Sequence, residues 1–377
     1  VQVSHFVNDY RGGLARYVER LVAFQKKALP QAQIGVFGPQ QLSLPAGVSH
    51  SIYQPIERKW GANQWKFAFQ SPWVNTPGIR HFHNYAWGEI DVLTCHGLYT
   101  HNWLSKHQGS RAKLHQKVQF SALSALERHC LTSAKVVVFQ SIENEEFVVD
   151  YFKLKRPSGA FVRVPQAVDP EVFRLLDLES RAKLRRESFP QLPSKARWLL
   201  FVGHDFHGKG LLRILEEMGQ RREWLADTAL LVFGNDPHHQ TLAEKTVERE
   251  RLPVFFLKSE LLKSAYSCSD FLLLNSISEG APMVLLEAMA AGCVPIFTPC
   301  GGVRETIQSG QNGWIAESPS HLVELALKTS SDERERMSRA AVATARKRDF
   351  VTFEKNYRDV YESIQRKTLP VYVSAQK

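Results

Sequence analysis

The segment Ser278 to Gly292, SEGAPMVLLEAMAAG, sets two carboxylates, Glu279 and Glu287, around the start of an expected helix. It follows the apolar run FLLLN, which reads as a strand. Pro282 suits the first helical turn and Gly292 a stop. A helix that starts just past the carboxyl end of a strand stands where open α/β sheets bind ligands. Its unpaired N–H groups and positive dipole end suit a diphosphate. A carboxylate there can accept two hydroxyls of a sugar or ribose. The plainer alternative is a strand–loop–helix unit with surface glutamates, and two such residues alone decide little. The whole string carries more weight.

A second string, WLLFVGHDFHGKGLLRILEEM, runs from strand to glycine-rich loop to helix. Gly203 and Gly208 precede Lys209, which nearly makes a P-loop. The match stops at Gly210, where a P-loop needs Ser or Thr to hold magnesium. At the front of the chain, Arg11-Gly12-Gly13-Leu14 precedes an amphipathic helix. Paired glycines let backbone N–H groups approach an anion or an acceptor, though a simple turn explains them equally well. In VLTCHGLYTHNW, His96 ends an expected strand, with His81, His83 and His101 nearby. No helix carries two histidines at ligand spacing, so no metal is expected.

These groups need a scaffold. IGVFG, VVVF, WLLFVG, LLVFG, VFFL, DFLLLN and VPIFT read as strands, and LARYVERLVAFQKKAL, KVQFSALSALERHCL and LVELALK as helices. That alternation predicts α/β architecture with mainly parallel sheets. Continuous apolar strands predict sheets covered on both faces. A charge-dense stretch with Pro190 and Pro193 separates the halves. The expected division is 1–170, 171–349, and a helix with tail at 350–377. That helix carries Phe350, Phe353, Tyr357, Val360, Tyr361 and Ile364 on one stripe, which needs a partner surface.

Composition narrows the classes. The 377 residues suit two domains, and 44% hydrophobic with 23% charged content is globular. No apolar run reaches the roughly 18 residues of a membrane span, and no signal-peptide pattern stands at Val1. The five cysteines show no paired spacing and fit reduced, buried thiols in a cytoplasmic setting. A net charge of +10 favours anionic partners, and nothing resembles a nucleic-acid-binding signature. Lys106, Arg111, Lys113, Lys117 and Arg128 lie among apolar residues, which suits either an anionic membrane surface or a solvated helix face. Trp60, Trp65, Trp73, Trp87 and Trp103 serve core packing by default, with sugar stacking or membrane contact as the alternatives.

SEGAPMVLLEAMAAG closely resembles the Glu-x7-Glu signature of retaining family-4 glycosyltransferases of the GT-B fold. The resemblance is strongest from Trp198 to Ala316. It implies two Rossmann-like domains facing a central cleft, the first binding acceptor and the second a nucleotide sugar. The last helix would cross back to the first domain. It implies that Glu279 contacts the donor sugar and Glu287 the ribose, with Ala281, Pro282, Met283 and Val284 lining sugar and phosphate. Lys209 matches the family lysine that faces the diphosphate, and His204 stands where arginine is common. Gly12 and Gly13 match a Gly-Gly loop and Gly203 the donor loop, while His96 matches a histidine near the reacting centre. Where the family often has Phe-Gly, this chain has Ala281-Pro282, and proline removes one amide donor. The metal-holding Asp-x-Asp motif of the other common transferase fold is absent from the sequence, so no cofactor or metal is expected.

The implied function is retaining transfer from a nucleotide diphosphate sugar, a UDP-sugar by first choice, to a glycan or lipid-linked acceptor. The expected setting is cell-surface polysaccharide or lipopolysaccharide synthesis, cytoplasmic or peripheral on the inner membrane face. Three rivals stay open: an epimerase or phosphorylase on the same fold, a P-loop-like NTPase, and a non-catalytic sugar-nucleotide-binding subunit.

Overall fold

The structure is a computed structural model, which describes residues 2–8, 12–54, 60–71, 74, 78–107, 113–155, 157 and 159–368. The chain divides into two compact units, Val1–Pro165 with Phe350–Lys377, and Gln166–Asp349. The division falls at Pro165 rather than at 170, and the last helix counts with the first unit. Among the described residues, no helix is long and apolar enough to cross a membrane.

The first unit runs β1 (Gln2–Phe6), α1 (Gly12–Ala28), β2 (Gln33–Gly38), β3 (Ser49–Ile52), α2 (Trp60–Gln70), β4 (Ile79–His83) and β5 (Ile90–Cys95). It continues through α3 (Tyr99–Lys106), α4 (Leu114–Ser133), β6 (Ala134–Phe139), α5 (Ile142–Phe152) and β7 (Phe161–Arg163). Its strands form one sheet in the order β3-β2-β1-β4-β5-β6-β7, parallel at every pairing. Parallel strands need crossover connections, which the intervening helices supply.

The second unit runs α6 (Leu178–Ser188), β8 (Arg197–Val202), α7 (Leu211–Gly219), β9 (Thr228–Phe233), α8 (Gln240–Glu250), β10 (Val254–Leu257) and α9 (Leu262–Cys268). It continues through β11 (Phe271–Leu274), α10 (Met283–Ala290), β12 (Val294–Phe297), α11 (Val303–Thr306), β13 (Trp314–Ile315), α12 (Pro319–Lys328) and α13 (Ser331–Arg346). Its sheet has the order β10-β9-β8-β11-β12-β13, again parallel. β8, β9, β11 and β12 are buried almost throughout, as two covered faces require, whereas the edge strand β10 is only half-buried.

The closing helix α14 (Phe350–Gln365) finds its partner surface on α1: Phe350 stacks on Phe24 at 4.9 Å, and Phe353 meets Tyr17 edge-on at 5.6 Å. Phe353, Tyr357, Val360 and Tyr361 are buried, and Phe350 and Ile364 half-buried. Aromatic rings of this size dominate the apolar stabilisation of such a seam.

In both sheets the strand order reverses once, between β1 and β4 and between β8 and β11. Ligands of open α/β sheets bind outside the carboxyl ends of the strands at that reversal. In the second unit the two loops there are 203–210, after β8, and 275–282, after β11.

Candidate functional site

The loop after β8 is a tight turn built on Asp205, whose carboxylate accepts from Gly208 N–H at 2.7 Å and whose carbonyl accepts from Lys209 N–H at 2.7 Å. Gly210 then takes φ +84°, and a Cβ there would stand 2.3 Å from the Asn275 carbonyl oxygen. No side chain fits, so the hydroxyl that a P-loop needs at this position is sterically excluded. Asp236 anchors the turn from the neighbouring loop, accepting from Phe206 N–H at 2.8 Å and bonding His239 Nδ1 at 2.9 Å. His204 is exposed and its Nδ1 accepts from Asn235 N–H at 3.2 Å.

The loop after β11 carries Glu279, which pairs directly with Lys209 and accepts from Ser276 Oγ at 2.7 Å. The Glu279 side chain is 9% exposed and that of Lys209 30%, so the pair sits in a recess with one side open. Gly301 and Gly302 buttress this loop from behind. A Cβ on Gly301 would lie 2.2 Å from the Glu279 carbonyl oxygen, and Gly302 N–H donates to Gly280 at 2.9 Å.

Pro282 is the N-cap of α10, one position before the first turn expected for it. Met283 and Val284 open the helix, where amide groups lack intrahelical acceptors. Gly292 ends it in the left-handed region at φ +77°. Glu287 is only 2% exposed and accepts from Tyr266 OH at 2.7 Å. Thus Gly203, His204, Lys209, Glu279 and the 281–284 segment gather at the β8/β11 reversal, and Glu287 lies buried on the same helix.

Residue types alone did not point to Ser276, Asp236, Tyr266 or Asn275. Asn275 receives the Arg213 guanidinium on its carbonyl at 2.6 Å and on its side chain. Only Ser276, in the loop between the FLLLN strand and SEGAPMVLLEAMAAG and three residues before Glu279, had a positional signal.

The remaining residues singled out lie in the first unit. Gly12 and Gly13 are not a loop before α1 but its first turn, and a Cβ on Gly13 would meet nothing within 4 Å. Arg11 lies outside the described residues, as do Trp73 and Arg111. His96 directly follows β5, and its backbone N–H donates to Asn84 Oδ1 at 2.9 Å.

Both ring nitrogens of His96 point into the protein. Gln140 Nε2, which can only donate, meets His96 Nδ1 at 3.1 Å, so Nε2 carries the proton and donates to His83 Nδ1 at 2.9 Å. His83 Nε2 then donates to His5 Nδ1 at 3.2 Å, and His5 Nε2 to Gln25 Oε1, an acceptor only, at 2.9 Å. The amides at the two ends demand the same tautomer at every histidine between them. Gln25 passes the chain to Tyr361 OH, Tyr361 to His81 Nδ1, and His81 Nε2 to Thr94 Oγ1, at 2.9, 2.9 and 2.7 Å. Thr94, Tyr357 and Tyr17 complete it through hydroxyl contacts of 3.0 and 2.5 Å.

Burial lowers the His5 pKa to about 4 and that of His96 to about 3, and holds His81 and His83 well below the ordinary value. The imidazoles are therefore neutral at pH 7. His5, His81 and His83 offer nitrogens within 4.8 Å of one another, a spacing that an ion could use. Every one of those nitrogens already has a protein partner. His101 stays apart, stacked on Phe147 at 4.5 Å.

Comparison with known proteins agrees with this geometry. Residues 184–348 match the family described as "Glycosyl transferases group 1". The N-acetyl-alpha-D-glucosaminyl L-malate synthase of Bacillus anthracis is 37% identical over 93 residues, 24% of each chain. The lipopolysaccharide glucosyltransferase WaaG of Escherichia coli (strain K12) is 32% identical over 124 residues, 32% of this chain and 33% of its own. The aligned stretches thus span a third or less of these two relatives.

Over nearly the whole chain the likeness is one of fold. The crystal structure of WaaG, described as a glycosyltransferase involved in lipopolysaccharide biosynthesis, superposes with TM-score 0.78 at 19% identity, covering 95% of this chain and 99% of that one. Anabaena Alr3699/HepE in complex with UDP-glucose superposes with TM-score 0.68 at 14% identity, covering 97% and 99%. Residues 184–348 belong to the glycosyl transferases group 1 family, in a chain with the GT-B fold.

Proposed function

We propose that the chain is a retaining glycosyltransferase that moves a sugar from a nucleotide diphosphate sugar, a UDP-sugar by first choice, to a glycan or lipid-linked acceptor. The observation that carries this reading is the meeting of Lys209 and Glu279 beside the start of α10, at the β8/β11 reversal. The lysine supplies positive charge where a leaving diphosphate accumulates negative charge. Met283 and Val284 add amide donors at the helix start. Glu279 holds the donor sugar and Glu287 the ribose hydroxyls. His96, neutral and held in one tautomer, takes the role of the family histidine near the reacting centre.

The bond from the sugar to the diphosphate breaks as the bond to the acceptor oxygen forms on the same face. A diphosphate oxygen takes the acceptor's proton, so no protein nucleophile and no metal is required. The HepE complex with UDP-glucose supports the choice of UDP, and the relatives in lipopolysaccharide synthesis support a cell-surface glycan acceptor. Peripheral contact with an anionic membrane is supported by the first half of α4, where Leu114 and Val118 are 79% and 62% exposed beside Lys113 and Lys117.

A screen of nucleotide sugars for thermal stabilisation identifies the donor, because a ligand bound only to the folded state raises its stability. Transfer with that donor is then measured with and without EDTA, and in Glu287→Ala. Full transfer and unchanged donor affinity in that variant would overturn the site assignment. Magnesium-dependent hydrolysis without any sugar would return the reading to an NTPase. Flotation with phosphatidylglycerol vesicles tests the membrane contact.

A further inference from the structure

The second unit has another cavity, of about 400 Å³, lined among others by Arg185, Lys195, Arg197, Asp227, Asp270 and Arg334. Arg197 opens β8, Thr228 opens β9, and Asp270 directly precedes β11. These strands are parallel. The cavity therefore lies at their amino ends, opposite the end that carries Lys209 and Glu279.

The charges around it do not balance. Asp270 is the buried carboxylate, and three guanidiniums share it: Arg181 at 2.9 Å, Arg185 at 3.0 Å and Arg334 at 3.5 Å. Arg197 is close by, but its hydrogen bonds go to the carbonyl groups of Ala326, Leu327 and Thr329 at the end of α12. Those carbonyls satisfy its donors and carry no full charge.

Arg334 makes no side-chain hydrogen bond among the described residues, and its side chain is 17% exposed. Lys195 is exposed at the rim, also without a partner among the described residues. Asp227, exposed at the rim as well, is the one further carboxylate in the lining. Cations thus outnumber carboxylates around a walled space, an arrangement that stays costly until an anion enters.

A planar guanidinium with free N–H groups matches a phosphate oxyanion in both charge and fork geometry. The volume lies within the range of small-ligand sites, roughly 300–1,000 Å³. It exceeds what a bare phosphate fills. The lining is mainly polar and charged, which suits a hydroxylated phosphate ester better than an apolar ligand.

We propose that this cavity is a second anion site of the chain, one that takes a small phosphate monoester. It is separate from the nucleotide-sugar region and does not depend on how that region is read.

The test is the thermal midpoint of the full chain, titrated with inorganic phosphate, with glucose 1-phosphate, and with chloride at matched ionic strength. The expected result is a saturable rise with phosphate or its ester that chloride does not reproduce. Arg334→Gln and Lys195→Ala should each weaken the apparent affinity at least fivefold. Lys195 is exposed, so its variant tests the site even where Arg334→Gln compromises folding. Lys209→Ala should leave the response intact, which separates this cavity from the diphosphate end of the sheet. A tighter response to the ester identifies the organic part as a ligand, and an equal one identifies phosphate alone. A response no larger than that of chloride overturns the proposal. So does one that survives Lys195→Ala and Arg334→Gln but disappears in Lys209→Ala.

Discussion

The two units bury polar groups in opposite ways. In the first, His5, His81, His83, His96 and their glutamine, threonine and tyrosine partners form a neutral chain, in which each donor finds an acceptor. In the second, charge itself is buried: Asp270 among arginines at the amino ends of the strands, and Lys209 with Glu279 at the carboxyl ends. When one link of a neutral network goes, the cost is at most that of a buried polar group left unsatisfied, about 1–3 kcal/mol. A buried ion cluster loses much, because the survivors are left uncompensated.

The sharpest way to break this comparison is to neutralise Asp270. Burial alone would raise its carboxyl, but Arg181 and Arg185 hold it below the usual carboxylate range. The charged form also accepts from Trp198 N–H at 2.8 Å. Asp270→Asn should cost about 3–5 kcal/mol, the range for removing one partner of a buried ion pair. Urea denaturation of the second unit measures it. A cost below about 1 kcal/mol would mean that the arginines are balanced by something other than this carboxylate.

Next in size is Lys209→Ala. If the lysine stabilises the leaving diphosphate, transfer should fall about 10²–10³-fold, with a smaller change in donor affinity. Equal losses in kcat/KM from weakened donor binding alone would instead make Lys209 a binding residue. The matching probe in the first unit is His83→Gln, which keeps one amide in the chain. It should alter the rate by less than Lys209→Ala does, because His83 acts only through His96.

Acid separates the units directly. The buried histidines have folded pKa values below the unfolded value of 6.5, so the unfolded chain binds more protons between those limits. Their contribution is complete above pH 6.5 and is lost as pH falls toward about 4. Glu127 opposes this. Burial raises its pKa to about 7, so it favours the folded state increasingly as pH drops through 7. Glu127 offsets roughly one histidine, and Glu145 and Glu354, raised by burial too, act in the same sense, but the four histidines together leave a net loss. Asp270, with its depressed pKa, keeps the second unit's contribution until pH falls below the ordinary carboxylate value. Hydrogen exchange should therefore show first-unit amides losing protection between pH 6.5 and 4, before those of the second unit. Simultaneous loss would sink this assignment.

The same contrast explains what could be read from the sequence. β8, β9, β11 and β12 are continuous apolar runs, so the second unit's sheet and the loops that follow its strands were legible from residue types. β1 and β4 were not. Their sequences QVSHF and IRHFH place His5, His81 and His83 at buried positions, which breaks the apolar pattern that marks a covered strand. The histidines that build the first unit's network thus hid the strands that carry it. Gly12 and Gly13 misled for another reason, since glycine's low helix propensity suggests a loop, and here they form the first turn of α1. The pairing of Lys209 with Glu279 links residues in two loops and has no local signature, and the same holds for Tyr266 with Glu287.

The smallest expected effect is the most direct test of how a neutral network tolerates loss. Tyr17→Phe keeps the ring that meets His96 edge-on at 4.5 Å and removes only the hydroxyl. Tyr357 OH then loses its 2.5 Å contact with Tyr17 but keeps Thr94 Oγ1 at 3.0 Å, and Gln140, which also bonds the Tyr17 hydroxyl, keeps His96 Nδ1 at 3.1 Å. The cost should be about 1 kcal/mol, the net worth of one hydrogen bond. A midpoint shift as large as that of Asp270→Asn would show that the hydroxyl chain acts as a single cooperative unit. In that case neutrality would not be what makes the first unit tolerant, and the contrast between the two units would have to rest on their packing alone.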